Sequence, residues 1–154
     1  MGSITPCLWF DGQAEEAATL YTSVVRNSRI VNVSRAGADP GDPALTVSFE
    51  LDGQPFVALN GGPQFSFTEA VSFQISCGDQ AEVDRYWSAL TEGGEESQCG
   101  WLKDRFGLSW QVIPTVLPNL IGGDDAEGAQ RAMTAMLAMR KLDIAALEAA
   151  YSGS

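Results

Sequence analysis

The chain has 154 residues, 45% of them hydrophobic, with 20 acidic and 9 basic side chains and a net charge of −11. That is enough for one ordinary domain, or two small half-modules, with a sizeable core. So acidic a surface repels nucleic-acid phosphates and anionic lipid, and no apolar run approaches the roughly 18 residues that span a bilayer, so neither nucleic acid nor membrane is expected as a partner.

In chain order, Met1 to Phe10 has no basic stretch followed by a long apolar one, so no signal peptide is expected. Ile4 to Phe10 is an apolar run closed by Asp11-Gly12 and predicts a strand. From Ala14 to Val25 the positions Ala17, Leu20, Tyr21, Val24 and Val25 recur at helical spacing, with Glu15 and Glu16 in the first turn. Ile30 to Arg35 alternates as a strand, and Gly37 to Pro43 is a loop. Leu45 to Leu51 and Pro55 to Asn60 flank Asp52-Gly53, the pattern of a tight hairpin.

The pattern then recurs. Val71 to Cys77 predicts a strand, and Glu82 to Leu90 a helix with Val83, Tyr86, Trp87 and Leu90 on one face. After Gly93-Gly94, the segments Glu96 to Lys103 and Leu108 to Ile113 flank a turn at Asp104 to Gly107, one clear strand fewer than in the first copy. Thr115 to Gly123 is a connector. Ala126 to Met139 predicts a helix with Met133, Met136 and Leu137 together, and Asp143 is placed to cap a last helix through Ile144, Leu147 and Tyr151. Two such helices outside the repeat serve to cover a sheet face or a subunit contact, or to line a ligand pocket with methionine.

The fold expected is α+β: two paired β-α-β-β-β modules, residues 1–66 and 67–123, forming a curved mixed sheet with a cleft, and a helical extension of the same domain over residues 124–154. The cleft, lined by inward side chains of the strands, is the default ligand site.

The chain has no histidine, which removes the commonest general base and the commonest metal ligand. Its three cysteines, Cys7, Cys77 and Cys99, are far apart and odd in number, as suits reduced thiols in a cytoplasmic protein. Cys99 reads either as a nucleophile or as a small buried hydrophobe. Trp9, Trp101 and Trp110, in three predicted strands, either form an aromatic wall for a planar ligand or belong to the core. Asn60 and Gln111 either orient a ligand or satisfy backbone groups at strand ends.

Thr5-Pro6-Cys7-Leu8-Trp9-Phe10-Asp11-Gly12-Gln13-Ala14-Glu15-Glu16-Ala17 resembles the opening of a bacterial branch of the vicinal-oxygen-chelate (glyoxalase/bleomycin-resistance/dioxygenase) superfamily, the branch labelled 3-demethylubiquinone-9 3-methyltransferase-like. The blocks Leu51 to Phe56, Leu59 to Pro63, Gln98 to Asp104 and Gly107 to Val112 resemble it too, as does the tail from Ala135-Met136 to Leu147. The resemblance implies the fold above and a homodimer. It also implies, in the best-known members, a metal held by His, Glu or Gln from four inward strands. Those positions fall here on Thr5, on Val57 or Ala58, on Val71 and on Gln111. Thr, Val and Ala do not ligate transition metals, so no metal or other cofactor is expected. Where the family often has a histidine after Gly62-Pro63, this chain has Gln64.

The expected function is metal-independent binding of a small organic molecule, with or without turnover, by Gln111, Trp110, Asn60, Trp9, Trp101 and Cys99. Period-two alternation lets only one of Trp110 and Gln111 face inward, and Gln111 is the choice. One alternative is a non-catalytic protein that sequesters a drug or metabolite. The other is the methyl transfer of the family label, although Gly61-Gly62, Gly93-Gly94 and Gly122-Gly123 are isolated pairs and no G-x-G-x-x-G follows a strand.

Overall fold

A computed structural model describes residues 2–154; Met1, which begins the segment read for a leader, lies outside the described residues. The chain divides into two compact units, one ending at Phe67 and one spanning Thr68–Ser154.

In the first unit, strand β1 (Cys7–Phe10) is followed by helix α1 (Ala14–Val24) and strands β2 (Arg29–Arg35), β3 (Ala44–Leu51) and β4 (Gln54–Asn60), in sheet order β1-β4-β3-β2. The β1–β4 pair is parallel and the others antiparallel. Asp52 (φ 48°) and Gly53 (φ 82°) both take positive φ, as a two-residue turn needs if its twist is to match the strands it joins. Ala14, Ala17, Ala18, Tyr21 and Val24 are the buried stripe of α1. The three alanines let the helix come close to the sheet, and Tyr21 meets Phe49, which stacks on Phe56 with ring centroids 5.4 Å apart.

The second unit repeats the order: β5 (Ser72–Cys77), helix α2 (Gln80–Thr91), then β6 (Glu95–Glu96), β7 (Trp101–Lys103) and β8 (Ser109–Pro114), with sheet order β5-β8-β7-β6. The fold is α+β, with two four-stranded mixed sheets of the same topology. The strand missing from the sequence reading is β6, only two residues long. Glu96 to Lys103 is not one strand, because Cys99 (φ 59°) and Gly100 (φ 85°) turn the chain through the left-handed region. That turn is fastened from outside the sheet: the Cys99 and Gly100 amides donate to the Met139 and Arg140 carbonyls at 2.9 and 2.8 Å.

Val83, Tyr86, Trp87 and Leu90 of α2 are buried, as the helical spacing predicts. Asp79 accepts from the Glu82 amide and so caps the helix. The connector after β8 contains a short helix, α3 (Leu117–Ile121), and two more follow, α4 (Ala126–Leu137) and α5 (Ile144–Ser152). Asp143 caps α5 by accepting from the Ala146 amide at 3.0 Å. Leu117, Leu120, Ala132, Leu142 and Leu147 form a core shared by these helices, and Met136 and Met139 pack against it. Gln80 ties α2 to them, donating to the Leu142 carbonyl and accepting from the Ile144 amide. Among the described residues, no helix is long and apolar enough to cross a membrane.

Candidate functional site

In each unit one sheet face is covered by the helix that follows its first strand, and alternation along the strands decides which side chains reach the other face, which in the second unit is covered by the C-terminal helices at Ile113 and left open around Gln111. In the first unit, Leu8 and Phe10 of β1 are buried toward α1, while Trp9 points the other way. Trp9 is half-buried, and its indole Nε1 donates to the Gly62 carbonyl at 2.8 Å. Phe65 meets the ring edge-on at 4.9 Å. Gly61 lies against the ring so closely that any Cβ there would overlap it. Asn60, directly opposite Phe10 across the β1–β4 pair, is occupied by structure. Its Oδ1 accepts from the Ala14 amide at 2.9 Å, capping α1 across 46 residues, and its Nδ2 donates to the Ala44 carbonyl. Gln13, the residue next to α1, makes no side-chain cap of its own.

Asn60 borders a hollow of about 680 Å³ in this unit, with Glu15, Arg35 and Asp42 also in its wall. The Arg35 guanidinium donates to both Glu15 carboxylate oxygens, at 3.1 and 2.9 Å, and to the Asp42 carbonyl at 3.1 Å. This two-pronged bond holds the Glu15 carboxyl below its usual range and raises Arg35. Arg35 and Glu15 are thus matched to each other, while the Asp42 carboxylate accepts from the Asp39 amide at 3.0 Å.

The uncovered face of the second unit is chemically richer. Trp101 of β7 lies directly opposite Gln111 of β8, and Gln74 of β5 flanks Gln111 on its other side. Gln111 Nε2 donates to Ser72 Oγ at 2.8 Å, and Gln111 Oε1 accepts from Gln74 Nε2 at 3.2 Å. The amide is therefore held in one orientation, yet an amide carries two N–H groups and two acceptor lone pairs, so one of each remains to be offered. Trp101 is half-buried beside it. The next row of the same face holds Ser72, Ser109 and Lys103, in which Ser109 pairs with Ser72 on one side and Lys103 on the other.

Trp110 is not part of this surface. It lies on the opposite face, buried to 3% exposure, and stacks obliquely on Phe73 at 5.8 Å. Its Nε1 donates to Asp104 Oδ2 at 2.9 Å. Cys99 sits in the turn before β7 and is half-buried. Of the six expected site residues, Trp101 and Gln111 come together. Trp110 is core, Asn60 a helix cap and Cys99 a turn residue. Trp9 belongs to the uncovered face of the first unit. The sequence reading passed over Ser72, Gln74, Ser109 and Lys103. Their signal was the alternation Ser72, Gln74, Ser76 in β5 against Ser109, Gln111 in β8: a polar residue at every second position of two apolar strands.

The donor set does not fit the metal of the best-known relatives. Thr5 is exposed and precedes β1, Val71 is exposed and precedes β5, Ala58 is fully buried, and Val57 has no donor atom. Gln111 already spends one lone pair on Gln74. Among the described residues, no three His, Cys, Asp or Glu side chains gather as they would around a metal ion. A methyl donor of the doubly wound kind fits no better, because the strand-to-helix turn Asp11-Gly12-Gln13 leads into a helix whose first amide is taken by Asn60 and whose first turn carries Glu15 and Glu16.

Two mixed sheets of this topology, each bearing a helix, define a vicinal-oxygen-chelate protein. The fold is shared with a fosfomycin resistance protein, FosX, from Mesorhizobium loti (14% identity, TM-score 0.53, 73% of this chain and 90% of that one). It is shared more closely with a Pseudomonas aeruginosa protein (23% identity, TM-score 0.62, 74% and 98%). A Bacillus cereus PhnB protein is 32% identical with a TM-score of 0.67 over 74% of this chain and all of that one. The family model of 3-demethylubiquinone-9 3-methyltransferase matches residues 2–113, and the chain belongs to that family. No curated protein matches it.

Proposed function

We propose that the chain binds a small organic molecule, without a metal, on the uncovered face of its second sheet, with Gln111 as the orienting polar contact and Trp101 as the apolar wall beside it. The observation that carries this is the fixed amide of Gln111, bridged between Ser72 and Gln74 at 2.8 and 3.2 Å with a donor and an acceptor to spare. A preset amide beside an indole suits a ligand with a carbonyl, amide or hydroxyl on a planar or apolar body. Neither an amide nor an indole is an acid or base near neutral pH, so Gln111 and Trp101 bind and orient; they do not themselves move protons.

Gln111→Ala is the test. A ligand found by thermal-shift screening of aromatic and amide-bearing metabolites should bind about 1–3 kcal/mol more weakly to this variant. Unchanged affinity with a lower melting temperature would make Gln111 a packing residue and refute the reading. S-adenosylmethionine belongs in the same screen, because binding it would favour the methyl transfer of the family label.

A further inference from the structure

Ser109 differs from every other buried side chain described. It is 1% exposed, and its Oγ has no hydrogen-bond partner. A buried hydroxyl without a partner is costly, and natural structures keep few of them. Its place in the wall of a cavity of about 170 Å³ gives the hydroxyl a use. The wall includes Glu69, Glu95, Glu96, Lys103 and Trp101.

Charge decides what this cavity would take. Lys103 Nζ is bound to Glu69 Oε1 at 2.7 Å, and Glu95 lies directly across the β6–β7 pair from Lys103. Glu69, Glu95 and Glu96 thus line the same cavity as one ammonium, a local excess of negative charge on a chain whose net charge is already −11. An anion would meet repulsion both near and far, and a cation attraction. A metal ion is a poor occupant, since no three carboxylate, thiol or imidazole side chains converge among the described residues. The indole of Trp101 adds an aromatic face, which attracts organic cations. The Ser109 hydroxyl accepts an N–H, and a volume of this size holds about five or six waters, or a few carbon atoms and a head group.

Gly94 sets how closely the chain approaches β7 beside the cavity. A Cβ on it would overlap the Lys103 carbonyl, so only glycine lets the chain entering β6 pass this close to the end of β7. That approach brings Glu95 opposite Lys103.

We propose that this cavity binds the primary ammonium group of a small organic amine, with Glu95 and Glu96 supplying charge, Ser109 Oγ accepting an N–H and Trp101 covering the carbon chain. The proposal goes beyond the binding role of Gln111, with which it shares the Trp101 indole, and is argued from Ser109 and the carboxylates instead.

The experiment titrates n-propylammonium, n-propanol and propionate at one ionic strength into the wild type, Ser109→Ala and Glu95→Gln, following amide and indole signals by two-dimensional NMR. Propylammonium should shift the signals of Trp101, Lys103 and Ser109 saturably, while the neutral and anionic probes should not. Ser109→Ala removes an unpartnered hydroxyl, so the fold should melt at the same temperature or higher while amine binding weakens about threefold to tenfold. Glu95→Gln should weaken it by a similar factor. The proposal is overturned if no saturable shift occurs, if propionate or propanol binds as well, or if Ser109→Ala binds the amine like the wild type.

Discussion

The indole of Trp110 and the carboxylate of Asp104, six residues apart across the turn before β8, are joined by a 2.9 Å hydrogen bond and buried together. Asp104 Oδ1 meanwhile accepts from the amides of Phe106 and Leu108, at 2.9 and 3.1 Å. One carboxylate thus closes the turn and fixes the tryptophan that leads into β8, which sets the register that presents Gln111 on the other face.

Trp110→Phe keeps the ring and removes the donor. It should cost about 1–3 kcal/mol, because a buried carboxylate oxygen loses a hydrogen bond. Urea denaturation measures the loss. Affinity for a ligand at Gln111 should hold, since Trp110 lies on the opposite face.

The thiols should react in order of exposure. Burial, reinforced by the negative charge of Glu82, pushes the Cys77 thiol up to about 12, so near neutral pH it has almost no thiolate. Cys7 is exposed and Cys99 half-buried. Iodoacetamide at pH 8, followed by mass spectrometry, should label Cys7 first and Cys77 only on unfolding. Labelling of Cys77 in the native protein as fast as Cys7 would contradict this burial.

Acid should weaken the fold through three ion pairs. The Arg35 bond lowers Glu15, the Lys103 bond lowers Glu69, and bonds from Gln80 and then Lys141 lower Asp84. Each folded value lies below the unfolded one. These groups therefore contribute stability above the ordinary carboxylate range, and that stability is lost as pH falls through their lowered values, below about pH 4. Lys103 and Arg35 are raised, so their share is lost only in strong alkali. All three pairs are substantially exposed, so added salt should shrink the effect. Melting temperatures across pH 2 to 7 at low and high salt would show it.

Pairing of two copies is a further expectation. Met136 and Met139 are used inside the chain, but Leu137, the last residue of α4, is 59% exposed, and Ile30 and Val31 are exposed on edge strand β2. Exposed apolar groups on either unit are candidates for a two-fold contact. Light scattering at micromolar concentration should give the mass of two chains, and the mass of one would refute it.

The repeated element order was legible because each strand and helix carries its own period, and Asp52-Gly53, Asp79 and Asp143 punctuate them by local chemistry. The split of Glu96 to Lys103 was not. It depends on Cys99 accepting positive φ and on two carbonyls about forty residues later, at Met139 and Arg140. Alternation sets Trp110 and Gln111 on opposite faces, and it is the resemblance, through the position its members give a metal ligand, that singles out Gln111. What holds it was not legible, since Ser72 and Gln74 reach it through a pairing register that the sequence does not state. Asn60 shows the same limit from the other side: an amide at a strand end reads as ligand-facing until the helix it caps is seen.

The most direct test of binding at the uncovered face follows the side-chain NH₂ signals of Gln111 and Gln74 and the indole N–H of Trp101 by NMR, while the small molecules that stabilise the protein are titrated in. The account predicts that these three signals move together and saturably for at least one such compound, and that Gln111→Ala abolishes the movement of the other two. Ligand-induced shifts confined to residues away from Gln111, Gln74 and Trp101, and unaltered by Gln111→Ala, would contradict it.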